Sequence, residues 1–394
     1  TLDGSGSHPI TIDDGTAITL RTGSTLTLDG TGGGSINGLG MIAIDTGPAT
    51  IVADGTISVL VDATGLVDDT LLTLQGTAAL TLNNLAGDLN ASTFTGELTI
   101  TTANNAVDNE ILIATGSADT SITGDHSDDT VTVDATELAE TSLLTLSGSD
   151  TFIVTGLKGS LDASGSSGLL FVTTGNLTDP GILITTGTGD ATVLDTFDGD
   201  DVSVDATNLL STSTLTLSGA ANFTVTGLGA TLLASGIVSA GSLDVTTVDA
   251  SLTITTGAGS NHIDATALTV TYTLSLIGST AVTVELGAGS LSAASYHTGS
   301  ITVEIATDLA AGQNITGGTA VDTLHYTPTG ATSLDLTLGS LSSIEKLTTE
   351  SGGSLTLTIT ALQFAGFDLI DLRSEEHTSE LQSRGLISYA VFCL

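Results

Sequence analysis

Tryptophan is absent from this 394-residue sequence, proline occurs 4 times, cysteine once, and lysine and arginine together 5 times. Each scarcity excludes something. With 44 acidic side chains the formal net charge is -39, so no basic surface exists to neutralise phosphate, which argues against a nucleic-acid ligand and against binding to anionic membranes. The one cysteine, Cys393, has no partner in the chain, so stability comes from something other than disulfides; bound metal or repetitive stacking are the usual substitutes. No apolar run approaches the roughly 20 residues of a membrane-spanning helix, and no signal peptide is visible at Thr1. A start without Met leads to the expectation of a fragment or a processed piece.

What is present is strand-and-turn chemistry. Hydrophobic residues make up 40% of the chain, too many for a disordered acidic tail, and 48 glycines punctuate segments rich in Thr, Ser, Val and Ile. Residues 1–60 show short alternating stretches, Ile10–Ile12, Ile18–Leu20 and Leu26–Leu28, separated by Asp/Gly turns. Gly32-Gly33-Gly34 is not followed by Lys or by a helical pattern, so it reads as a turn and not as a phosphate loop.

Long repeats occupy most of the remaining chain. Their marker is [VI]DAT-x-L, at Val61–Thr64, Val133–Thr136, Val204–Thr207 and Ile263–Thr266, spaced by 72, 71 and 59 residues. After each marker comes a strand ending in Gly: LLTLQG (71–76), LLTLSG (143–148), TLTLSG (214–219) and TLSLIG (273–278). The sequence divides into residues 1–60, repeats at 61–132, 133–203, 204–262 and 263–332, a truncated further β module at 333–372, and a tail at 373–394. In the second repeat the apolar strand centres fall at Leu144, Val154, Leu161, Leu170, Ile184, Val193 and Val202, a rhythm of about nine interrupted by an insertion at Asn176–Pro180. Two such units give a coil of about 18 residues, and stacked coils give an all-β parallel solenoid. The competing architecture is a string of tandem β-sandwich modules.

The junctions between repeats carry the candidate chemistry. Calcium takes several oxygen ligands from carboxylates and backbone carbonyls, and a Gly/Asp-rich turn supplies both. The turns are Gly124–Thr132 with Asp125, Asp128 and Asp129; Thr196–Val202 with Asp198, Asp200 and Asp201; Thr256–Ile263 with Asn261 in the Asp position; and Gly317–His325 with Asp322. These turns resemble the nonapeptide G-G-x-G-x-D-x-U-x of the haemolysin-type (RTX) calcium-binding repeat proteins. No copy keeps all three glycines and the Asp. The long repeat resembles large repetitive adhesins and surface-layer-like proteins that carry such motifs. The resemblance implies a secreted or cell-surface protein without catalytic activity, an adhesin, stalk or surface-layer element, with calcium at those eight side chains. Its partners would be a host or cell-surface glycan or protein, or further copies of itself.

Other readings are weaker. His126, His262 and His325 each sit in a junction but in separate repeats, which disfavours a shared transition-metal site. Asp128-Asp129 and Asp200-Asp201 have the makings of paired catalytic carboxylates, and a polysaccharide-cleaving solenoid is the enzymatic alternative. Such sites generally add Arg or Lys, and the body of the chain has only the isolated Arg21, Lys158 and Lys346. The tail from Arg373 resembles a translated sequencing-library adapter, with Arg373–Ser383 and Ile387–Leu394 as its constant blocks. His377 and Cys393 are on that reading without meaning.

Overall fold

A computed structural model describes residues 2–3, 10–20, 25–30, 36–55, 58–105, 109–178, 181–328, 333–349, 355–372 and 389–393. Two compact units emerge, residues 1–195 with 200–209, and residues 196–199 with 210–394. Among the described residues one short helix, Ala361–Gly366, interrupts a succession of strands.

The N-terminal unit is a parallel β-solenoid. Successive strands alternate between two sheets, and each pairs in parallel with the next strand but one. Thus Thr130–Asp134 takes Thr151–Leu157 as its neighbour in one sheet, and Leu143–Gly148 takes Ser160–Ser166 in the other. Tandem sandwich modules are excluded by this pairing. The coil is not a constant 18 residues: register offsets run from 17, Leu144 on Leu161, to 26, Leu2 on Leu28. Most strands keep their short length and the corners absorb the difference. At the N-terminal end Ile10–Leu20 is one strand and not two, paired with Ile36–Ile44 across a register break between Thr11 and Thr16, where the residues of the expected Asp/Gly turn are accommodated.

Parallel sheets are usually covered on both faces and read as continuous apolar runs. Here each sheet is covered on one face only, by the sheet opposite, so its strands alternate: Leu170–Thr174 runs buried, exposed, buried, exposed, buried, and seven-residue strands such as Thr151–Leu157 keep the alternation up to the register break near their end. All seven apolar centres of the second repeat are buried, at no more than 3% exposure. Each such Val, Leu or Ile contributes at most about 1.5–3 kcal/mol. Small residues fill the narrow interior, with Ala63 and Ala135 fully buried at corners and Ala163 fully buried within a strand.

Those seven centres fall on seven consecutive strands, from Leu143–Gly148 to Asp201–Asp205. Seven strands are three and a half coils. The markers at Asp62, Asp134 and Asp205, on Ser58–Asp62, Thr130–Asp134 and Asp201–Asp205, therefore fall alternately on one sheet and the other. The sequence boundaries of the repeats cut through these strands, so the repeats are units of sequence and not separately packed domains.

The marker has a local physical basis. Asp62, Asp134, Asp205 and Asp264 each accept, through Oδ1, the backbone N–H of the Thr two residues on, at 3.0–3.1 Å, together with that Thr's hydroxyl. This Asx turn takes the chain out of the strand. The following Ala and Leu are buried, and the Leu N–H closes back on the Ala carbonyl, as Leu138 does on Ala135 at 3.1 Å. The strand-ending glycines Gly76, Gly148 and Gly219 have φ of 110°, 105° and 116°. A Cβ on Gly148 would lie 2.0 Å from the Gly124 carbonyl oxygen, so only glycine fits.

The C-terminal unit is built the same way. Thr214–Gly219 and Thr273–Gly278 are six strands apart and share a sheet, which accounts for the shorter 59-residue spacing. The described residues of 333–372 pair onto the preceding coils: Leu341 pairs with Ile315, Leu347 with Leu324 and Ile370 with Leu347. Asp335 makes the same turn onto Thr337, at 2.9 Å to its N–H, under a Leu-Asp-Leu-Thr sequence that does not match the marker. A third short sheet, Ser333–Asp335 with Thr356–Thr360, widens these last coils. The helix is capped by Thr360 in a reciprocal capping box with Gln363, whose amide reaches the Leu336 carbonyl at 2.7 Å. Of the tail, Tyr389–Cys393 pairs antiparallel with Thr356–Thr360, while residues 373–388 lie outside the described residues.

Candidate cation-binding turns

The eight expected ligands separate into two kinds. Asp125, Asp128, Asp198 and Asp201 are exposed. Asp129, Asp200, Asn261 and Asp322, the residues in the Asp position of each turn, are buried at 2%, 6%, 7% and 0% exposure. Asp129, Asp200 and Asp322 immediately precede a strand and Asn261 is the second residue of one, so all four lie near the corner where the chain enters a strand.

The buried side chains satisfy backbone N–H groups. Asp322 accepts the N–H of Ile301 at 2.7 Å on Oδ1 and of Gly318 at 2.6 Å on Oδ2. Asp129 accepts the N–H of Asn105 at 2.9 Å, and Asp200 that of Leu177 at 3.3 Å. Asn261 accepts the Gly257 N–H at 3.3 Å and donates to the Gly259 carbonyl at 2.9 Å and to Thr280 Oγ1 at 3.0 Å. Its amide nitrogen, a donor, faces oxygen atoms that a cation would otherwise take. These side chains act as acceptors for backbone donors, a role that needs the same residue in the same turn as calcium would.

Burial raises the carboxyl of Asp322 above its ordinary value; the Ile301 and Gly318 N–H groups oppose the rise and nearby Glu345 adds to it. Glu345 itself accepts the Asp322 N–H at 2.8 Å. Asp200 is likewise raised, by burial first and then by Asp195, Asp201 and Glu140, against the Leu177 N–H.

The sequence reading missed Asp150, which is fully buried. It occupies the space that Gly124 leaves open, and accepts the His126 N–H and, at 3.3 Å, the Thr102 hydroxyl. Burial raises its carboxyl, and Asp129 adds to the rise. Its signal was Gly148-Ser149-Asp150, whose Gly closes the LLTLSG strand and which has no second Asp beside it. Gln313 was missed too: buried, it donates to the carbonyls of Gly287 at 2.9 Å and Gly289 at 2.8 Å.

No group of three or more His, Cys, Asp or Glu side chains converges in a metal-holding arrangement among the described residues. The three junction histidines stay apart. His262 lies on the outward face of the C-terminal unit, with Nδ1 2.8 Å from Asp244 and Nε2 3.2 Å from Glu285. Hydrogen bonding to Asp244 raises its pKa, against burial, with Glu285 adding. His325 meets Thr348 at 2.8 Å, and His126 Nδ1 is buried without a hydrogen-bond partner. The adjacent pairs Asp128-Asp129 and Asp200-Asp201 each have one exposed and one buried member, so neither pair turns both carboxylates to one site. The half-buried Glu140, which adds to the rise at Asp200, holds the insertion through the Thr178 N–H at 2.7 Å. Asp179 and Pro180 of that insertion lie outside the described residues.

Comparison of the chain with protein-family models, with curated proteins and with solved structures finds no match. No helix among the described residues is long and apolar enough to cross a membrane.

Proposed function

We propose that the chain is a structural, non-enzymatic segment of a secreted or cell-surface repeat protein, an adhesin, stalk or surface-layer element whose coils are complete without metal. One observation carries this reading. The side chain in the Asp position of all four junctions is turned inward onto backbone N–H groups, so the turns are closed by the chain's own donors and acceptors. The charge of -39 supports an environment rich in counter-ions. Calcium, in this reading, screens the exposed Asp125, Asp128, Asp198 and Asp201 and is not a structural ligand of the buried set. The outward faces would meet a glycan, a protein or another copy.

The test is circular dichroism and urea unfolding of the full chain in chelator, with calcium or magnesium added back. A β spectrum in chelator, with equal modest stabilisation by either ion, is expected. A coil spectrum in chelator that converts to β only with calcium overturns the metal-free reading and makes calcium a structural ligand of the turns.

A further inference from the structure

We draw no further inference here: the strongest candidate, the outward surface patch of the C-terminal unit where His262 lies between Asp244 and Glu285 beside Asp264 and Glu304, is an exposed acidic cluster whose histidine is already taken up by its two neighbours, and nothing in the structure points to a ligand for it.

Discussion

Replacing Asp322 by alanine separates the two roles open to a turn carboxylate. In the structure the side chain is fully buried and holds two N–H groups, those of Ile301 and Gly318, on separate oxygens. Alanine leaves both donors buried and unpaired, at about 1–3 kcal/mol each. Removing a carboxylate that burial already disfavours offsets part of this. The net expectation is a loss of about 2–4 kcal/mol, roughly a 30- to 1,000-fold shift in the unfolding equilibrium, and it should appear in chelator. The equivalent change at exposed Asp125 should cost under about 0.5 kcal/mol. Urea unfolding reads the total. Hydrogen exchange at Ile301 and Gly318 reads the site, which matters because a repeat stack need not unfold as one unit. Asp322→Ala indistinguishable from the parent in chelator, and weaker only when calcium is present, would falsify the assignment of this carboxylate to the backbone.

Three further outcomes are expected of the same structure. Asp150, Asp200 and Asp322 hold their protons more tightly folded than unfolded, because burial raises each above the ordinary 3.8; their contribution favours the fold below that pH and is lost as pH rises through the raised values. His262, raised above 6.5, adds stability that is complete below that pH and is lost above it, whereas Asp62, lowered by Thr64, acts in the opposite sense only below 3.8. Melting temperature should therefore fall between about pH 4 and pH 8, and a rise across that interval would contradict the assignment. Thr247→Val should stabilise by about 1 kcal/mol in urea, since the buried Thr247 hydroxyl has no partner; destabilisation would mean that it has one. Gly148→Ala, which puts a Cβ 2.0 Å from the Gly124 oxygen at a φ of 105°, should cost roughly 2–5 kcal/mol by thermal unfolding, and a neutral result would refute the close approach.

Much of this architecture was legible in the residues. Strict alternation located the strands, and the apolar centres from Leu144 to Val202 all prove to point inward, because one-sided burial imposes period two whatever the corner does. Corner length was not legible. A nine-residue rhythm suggests equal coils, but Asn, Gly and Ser turns of different sizes join the same strands, and only the register shows 17 in one place and 25 in another. The marker's Asp was visible as a repeat but not as a turn-former until its bonds to the following Thr were seen. At the junctions, sequence could not tell a carboxylate that faces solvent from one that faces the backbone: Asp128 and Asp129 are adjacent and chemically identical, and the direction of the side chain decides between a solvated charge and an internal acceptor. Asp150 and Gln313 escaped because a single buried polar residue has no periodic signature.

The half-integral number of coils in each longer repeat makes copy number a matter of parity. In the N-terminal unit, duplicating or deleting one seven-strand repeat turns over every strand downstream, so that a residue selected for display on one flank reappears on the other. A binding surface inherited by duplication is thus two-sided from the outset, whereas a copy of six strands, such as the one spanning Thr214 to Thr273, keeps its flank. Length variation by whole seven-strand repeats would switch the facing of the later coils of that unit while leaving the core, the Asx corners and the hydrogen-bond ladders as they were.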